Sequence, residues 1–393
     1  MTALCAVLPL FLLACSHDPN ETDGAGAASS SSTAAGTGGG PGGAGGAGGS
    51  SGCSEGSHDE GGVCVATLGA WQTAPSMASA RDHHASFAVD TAAGTFLYAM
   101  GGVRDQSVAV SSIERSLVGA DGAPGPWEKL PGSFVAMGPS VVVVGKHALL
   151  TGGLRPSNTI EPATDVVTVD ETGAISVADG PTMAHARFHH GMVQFEGWAW
   201  AVGGGGDDAT STTSVERIQM DETGPVGEWV EDTPLPKPRS HHAVVVHDGA
   251  IFAIAGLDRY DGEPYPYKDT SYSDIIRAPI GEDGTLGEWA TVGELPDVLA
   301  VHTAFVHLGQ LYVLGGLEGK SPGGDFIARV QRATIAADGT VGAFEDLPSA
   351  LPRPRGHTHQ TPHIGKMIYS LAGADIEGVE VISQTDVFFA PLK

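Results

Sequence analysis

Basic residues are scarce in this chain of 393: 20 Lys and Arg stand against 46 Asp and Glu, a formal net charge of −26. That balance excludes a binder of nucleic-acid phosphates, which needs clustered cations. The first basic residue is Arg81, so the opening fifth of the chain carries none. Cysteine is equally sparse, with four residues and none after Cys64. Beyond residues 3–14 no apolar run approaches the ~18 residues that span a bilayer. Glycine is plentiful by contrast, at 57 residues without a strict G-X-Y period, which excludes collagen and points to turns.

The N-terminus reads as an address. Residues 3–14, ALCAVLPLFLLA, are too short to span a membrane and suit the apolar core of a signal peptide. Leu12-Leu13-Ala14-Cys15 resembles a bacterial lipobox, in which Cys15 receives the lipid. Residues 1–14 are thus expected to be a lipoprotein-type signal peptide. Cleavage without lipidation would leave the chain secreted. Residues 15–62 are rich in Gly, Ser and Ala and cannot offset their ordering entropy, so a disordered tether is expected. As a flexible coil, residues 16–52 would span roughly 30–37 Å. Cys53 and Cys64 remain as an even pair in an exported chain and are expected to close a small disulfide loop.

Residues 63–393 repeat one pattern. An aliphatic or aromatic run ending in Gly-Gly or Ala-Gly recurs at FLYAMGG (96–102), ALLTGG (148–153), WAWAVGG (198–204), IFAIAG (251–256), LYVLGG (311–316) and MIYSLAG (367–373). The final glycines are 51, 51, 52, 60 and 57 residues apart. DGAPGPW, TGPVGEW, DGTLGEW and DGTVGAF fall between them, and ARDHHA, ARFHHG and PRSHHA precede the strand pairs. Short β-branched segments divided by Gly, Asp and Pro turns predict four strands per unit. One such meander cannot bury both faces, so the units must stack, and radial stacking gives a propeller.

These residues resemble the kelch repeat, with its R-x-x-H lead-in, di-glycine and fourth-strand Trp at a period near 50. The resemblance implies an all-β, six-bladed propeller of four-stranded blades. Thr67-Leu68-Gly69-Ala70-Trp71 copies the T-L-G-E-W of 285–289, so the N-terminal strand is expected to close the last blade. The second repeat is degenerate, with Gly138-Pro139-Ser140 in place of the His pair. Trp71, Trp127, Trp229, Trp289 and Phe344 recur in register and are expected to pack blade on blade.

Meander topology puts the strand lead-ins and the loops after the di-glycines on one face, and the Asp-Gly hairpins on the other. The first face carries Arg81, Arg187, Arg239 and Arg355 as candidate ligand-binding residues. In kelch adaptors similarly placed arginines receive acidic groups. Its longest excursion, residues 257–274, adds Tyr260, Tyr265, Tyr267 and Tyr272, four of the seven tyrosines. Such aromatic and Arg clusters mark contact surfaces. His83, His189 and His241 each stand just before the His of the repeat pattern and keep a metal site open, though no cofactor is expected. The copper and Tyr–Cys cofactor of galactose oxidase, another kelch-type propeller, cannot form where no Cys follows Cys64. The sequence thus leads to a monomeric module, lipid-anchored to the bacterial cell envelope and, by Ser16 after Cys15, expected at the outer membrane, that binds a protein or carbohydrate at the cell surface and touches the membrane only through its lipid. The alternative is a carbohydrate-active enzyme, epimerase- or oxidase-like, using Arg and His at the channel.

Overall fold

The computed structural model describes residues 57–60, 63–105, 107–206, 210–259, 270–319, 325–358, 360–377 and 380–393, with backbone alone for 57–66, 377 and 380. Cys15, Cys53, Tyr260, Tyr265 and Tyr267 lie outside these residues, as does the side chain of Cys64. The described residues contain strands and turns but no α-helix.

Six four-stranded antiparallel sheets account for the repeats. Blade 1 comprises Ala85–Thr91, Gly94–Met100, Ile113–Val118 and Pro124–Leu130. Blade 2 comprises Ser140–Val144, His147–Thr151, Thr164–Val169 and Ile175–Asp179. Blade 3 runs through Gly191–Phe195, Trp198–Val202, Val215–Asp221 and Gly224–Glu231. Blade 4 runs through Ala243–His247, Ala250–Leu257, Ser271–Pro279 and Ala290–Glu294. Blade 5 is Thr303–His307, Gln310–Leu314, Val330–Thr334 and Glu345–Asp346. Blade 6 takes His363–Ile364, Met367–Leu371 and Val387–Pro391 from the C-terminus and Gln72–Ala74 from the N-terminus. Gln72 stands opposite Phe389 and Ala74 opposite Val387. The chain ends are also tied by Thr67 N–H to Lys393 O, and Lys393 N–H to Thr67 O, at 2.8 and 2.9 Å.

Two belts of backbone hydrogen bonds join the blades near the axis. The inner belt is a closed cycle. His83 N–H donates to His357 O, Gly138 to His83, His189 to Gly138, His241 to His189, Val301 to His241, and His357 to Val301, over 2.8–3.2 Å. Each of these six residues has a positive φ, from 49° to 67°. For β-branched Val301, at 54°, that conformation is costly and persists only because its surroundings over-determine it. The outer belt uses the di-glycines. The second glycine donates to the residue at the Arg position of the next blade: Gly102 to Ala136, Gly153 to Arg187, Gly204 to Arg239, Gly316 to Arg355 and Gly373 to Arg81, at 2.7–2.9 Å. The first position is Gly in four blades, and Ala255 and Ala372 take the same left-handed turn in blades 4 and 6, at φ 52° and 49°. A Cβ on Gly203, at φ 62°, would lie 2.4 Å from Arg239 O, which is backbone and cannot swing aside.

Side chains fill the space between blades. Trp289 of blade 4 packs with the cluster around Val202, Leu235 and Leu286, and its Nε1–H donates to Thr233 O at 3.1 Å. Trp229 donates to Thr164 Oγ1 at 3.2 Å, and Trp71 to Ser349 O at 3.1 Å. Each indole therefore reaches back to the preceding blade. The Asp-Gly hairpins do the same on the opposite face, where Tyr98 O–H donates to Gly173 O of the next blade at 2.8 Å. Because the Trp289 ring is only partly buried, Trp289→Ala should cost ~3 kcal/mol, the low end for a large aromatic. Chemical denaturation should show that loss; an unchanged midpoint would detach the indoles from blade packing.

Candidate functional site

The strand lead-ins place Arg81, Arg187, Arg239 and Arg355 on the expected face, but inside the protein. Their exposures are 0%, 0%, 0% and 2%. Arg81 donates to Gly101 O and Ser112 O, both at 3.0 Å, and to Glu114 Oε1 at 2.6 Å. Glu114 is itself fully buried and accepts from Ala78 N–H at 2.7 Å. Arg187 repeats the arrangement with Gly203 O, Ser214 O and Glu216 Oε1 at 2.8, 3.0 and 2.6 Å. Arg239 meets both carboxylate oxygens of Asp274 at 3.1 and 3.2 Å, and Arg355 reaches Asp386 Oδ2 at 3.4 Å. Burial pulls the Arg81 and Arg187 guanidiniums down from their usual range, and Glu114 and Glu216 oppose that shift. The structure places the four candidate ligand-binding arginines inside the protein, each as a strut paired with an acid. Each ties its lead-in to an acid at the third strand of its own blade, and Arg81, Arg187 and Arg239 also donate to the carbonyl of the first residue of the Gly-Gly or Ala-Gly pair.

Blade 2 has no lead-in arginine yet keeps the strut. Arg155, two residues past its di-glycine, reaches Asp165 at 2.7 Å. Asp165 stands opposite Leu150, as Glu114 stands opposite Ala99 and Glu216 opposite Ala201. Sequence reasoning missed Arg155; the acid at the repeat position without its usual cation was the available signal. Tyr272, the described member of the tyrosine group, is half-buried, with the Arg239 guanidinium 4.8 Å from its ring centre. It therefore belongs to that strut.

The histidines form two layers. His83, His189 and His241 belong to the inner backbone belt, and His357 joins them. His83 stacks on His357 with ring centres 3.9 Å apart, and His189 on His241 at 4.0 Å. The pairs meet edge-on, His83 to His189, at 4.8 Å. Gly138 leaves room for them, since a Cβ there would lie 2.9 Å from His189 Cε1. Asp82 holds Nδ1 of His83 and Ser240 Oγ lies 2.8 Å from Nδ1 of His241. Phe188 and Phe326 lie against this quartet, 4.1 Å from His189 and 5.6 Å from His357 by ring centre. Among the described residues no group of three or more His, Cys, Asp or Glu is arranged to hold a metal. His83, His189 and His241, the candidate metal residues, pack with His357 as a plug of imidazole rings.

His84, His190, His242 and His302 form the second layer, all at 6% exposure or less. Burial drives His84, His190 and His242 well below the ordinary imidazole range, helped by Arg81, Arg187 and Arg239 respectively. Burial also takes His241 and His302 down to about 3. One residue further along the strands than the plug, His190 and His242 line an axial cavity of about 170 Å³ with Met192, Gln360 and Thr361. Away from the axis, a larger open groove of about 540 Å³ lies on the di-glycine face between blades 3 and 4. Exposed His185 and residues Thr210, Ser211, Thr212 and Pro238 line it.

Repeat, blade and strut together define a β-propeller built of kelch-type units. No family model matches the chain. It is 26% identical over 221 residues to beta-scruin of Limulus polyphemus, covering 52% of this chain and 21% of that one. It is 24% identical over 190 residues to Kelch-like protein terF of Aspergillus terreus, covering 45% and 36%. Kelch-like protein 36 of Bos taurus matches at 25% over 199 residues, covering 41% and 31%. The matches thus span between about a fifth and a third of these relatives. A solved structure, that of YjhT, superposes with a TM-score of 0.58 at 12% identity, over 79% of this chain and 95% of that one. The chain is similar to kelch-repeat proteins, and its fold is that of a kelch-type β-propeller.

The buried imidazoles set a pH dependence. A histidine held neutral in the fold and titrating near 6.5 when unfolded costs nothing above that pH. As pH falls below about 6.5, the unfolded chain takes up protons that the fold refuses, so stability falls. For His302 the window runs down to about 3. Each such histidine should contribute about 1.4 kcal/mol per pH unit. Urea unfolding between about pH 7.5 and 5 should show the decline, flattened by one proton in His302→Leu; a flat profile in the wild type would show the imidazoles to be exposed or already charged.

Proposed function

We propose that the chain is a binding module that engages a protein or carbohydrate through the off-axis groove of its di-glycine face. The observation that carries this reading is the contrast between that groove and the channel mouth. The mouth is filled by four imidazoles capped by Phe188 and Phe326, and the arginines beneath it are spent on internal acids. The groove remains open, is bordered by His185 and a run of hydroxyls at 210–213, and lies beside blade 4, which carries the tyrosine-rich excursion 257–274. Protein interaction is the coarse role that kelch repeats support; position at a bacterial cell envelope, held by lipid on Cys15, is the finer part of the proposal and rests on the lipobox pattern.

Ala186 is exposed and lines the groove, so Ala186→Arg should fill it without disturbing the core. On peptide and glycan arrays this variant should lose about tenfold or more of the wild-type signal, equivalent to about 1.4 kcal/mol, at an unchanged melting temperature. Undiminished binding to every probe would place the contact surface elsewhere. In cells, incorporation of a fatty-acid label should disappear in Cys15→Ala; a label that persists would rule out the proposed anchor.

A further inference from the structure

Two lead-ins of one pattern end differently. Met77-Ala78-Ser79-Ala80-Arg81 opens blade 1 and Met183-Ala184-His185-Ala186-Arg187 opens blade 3. In both, the alanine after Met donates its N–H to the third-strand glutamate, Ala78 to Glu114 and Ala184 to Glu216, each at 2.7 Å. The middle residue sets them apart. Ser79 Oγ lies 3.2 Å from Ser112 Oγ, so that lead-in closes against its own blade. His185 turns instead to Glu231 of the outer strand, at 3.0 Å, and Ala184 and Ala186 stay exposed. The loop that follows the di-glycine of blade 3 is held toward blade 4. Ser211 Oγ lies 2.8 Å from Ser240 Oγ and 2.9 Å from Leu257 O, and Ser211 N–H donates to Asp258 O at 2.8 Å. The groove of about 540 Å³ opens between that lead-in and that loop.

We propose that, granted this groove as the binding surface, its ligand is a neutral, polyhydroxylated glycan rather than a peptide or an acidic molecule.

The chemistry of the lining carries the choice. Among the described residues its carbon-rich members are Ala184, Ala186, Gly206 and Pro238. None of these forms the deep apolar hole in which a protein partner buries Trp, Tyr or Leu. Hydroxyls dominate the facing wall, from Thr210 to Thr213. Thr212 Oγ1 accepts from Ser214 N–H at 3.0 Å, so its O–H is left to donate. The Thr213 hydroxyl has no hydrogen bond among the described residues. A hydroxyl donates and accepts at once, which matches the hydroxyls of a sugar ring.

Charge points the same way. Glu216, beneath the groove, is taken up by Arg187 at 2.6 Å and by the N–H groups of Ala184 and His185 at 2.7 and 3.1 Å. None of the described lining residues is Lys, Arg, Asp or Glu. At the rim the largely exposed Glu231 offers carboxylate oxygens to a hydroxyl and repels an anion. An acidic ligand would also approach a chain of net charge −26 with no lining cation to offset the repulsion. The walls are pinned to two blades before any ligand arrives, which lowers the ordering cost of binding.

Glycan and peptide arrays probed with the whole chain test this. Neutral oligosaccharides of hexose and N-acetylhexosamine units should bind the wild type, and Ala186→Arg should lose about tenfold or more of that signal. Thr213→Val, which removes one hydroxyl at equal volume, should lose about threefold to tenfold at an unchanged melting temperature. Between about 0.05 and 0.5 M NaCl the neutral-glycan signal should change less than about twofold. Signals that fall in Ala186→Arg but lie on peptides alone, or on sialylated or uronate glycans alone, would overturn the glycan assignment and leave the groove standing. Neutral-glycan binding indifferent to Ala186→Arg would overturn both. Full signal in Thr213→Val would remove the hydroxyl wall from the contact and overturn the assignment. Should one variant not fold, the other decides together with the wild-type array.

Discussion

Six backbone hydrogen bonds that close on themselves hold the centre of this protein. Each lead-in donates to the one before it, and the last returns to the first through His83 N–H and His357 O. A cycle has no end to fray, so no blade can leave without breaking two of its bonds. The cycle also dictates composition, because every member must adopt a positive φ. Glycine would do so most readily, yet it occupies one position, Gly138. The other five are residues whose side chains fill the axis, and the strain at each is borne by the packing around it.

The polar struts follow from that geometry. A lead-in that turns through the left-handed region exposes carbonyls and leaves a wedge beside the di-glycine. Arg81 and Arg187 fill that wedge, each spanning two carbonyls and an acid. A fully buried Arg–Glu pair contributes little net stability over an apolar pair, but removing one partner leaves a buried charge and is strongly destabilising. The struts therefore fix register more than they add stability. What looks like a ring of cations at a channel mouth is neutralised within the blades, while an open polar groove lies between blades 3 and 4.

Much of the fold was legible because it depends on local, repeated chemistry. The di-glycines, the Asp-Gly hairpins and the fourth-strand tryptophans each answer a backbone or packing demand that recurs at every blade. The pairing of Gln72–Ala74 with Val387–Pro391 was legible for the same reason, since one repeat lacked the strand that the N-terminus supplied. The site was less legible. Arg81 reads identically whether its guanidinium turns to solvent or inward, and only the position of Glu114 across the sheet decides between them. His357 makes the left-handed turn of its own lead-in, whereas in blade 5 Val301 makes it and His302 falls in the second layer. Which layer a histidine joins depends on which residue makes the left-handed turn, and that is a property of the closed cycle.

Closure is tested most directly by removing the strand that completes blade 6. A chain beginning at Pro75 keeps every other described strand of the propeller but lacks the pairing of Gln72–Ala74 with Val387–Pro391. If the blades depend on a closed ring, its denaturation midpoint should fall sharply and the amides of His83, at the junction between blades 6 and 1, and of His357, at the junction between blades 5 and 6, should lose protection along with blade 6. A midpoint equal to that of the full chain, with the His83 and His357 amides still protected, would show that the blades hold one another without closure.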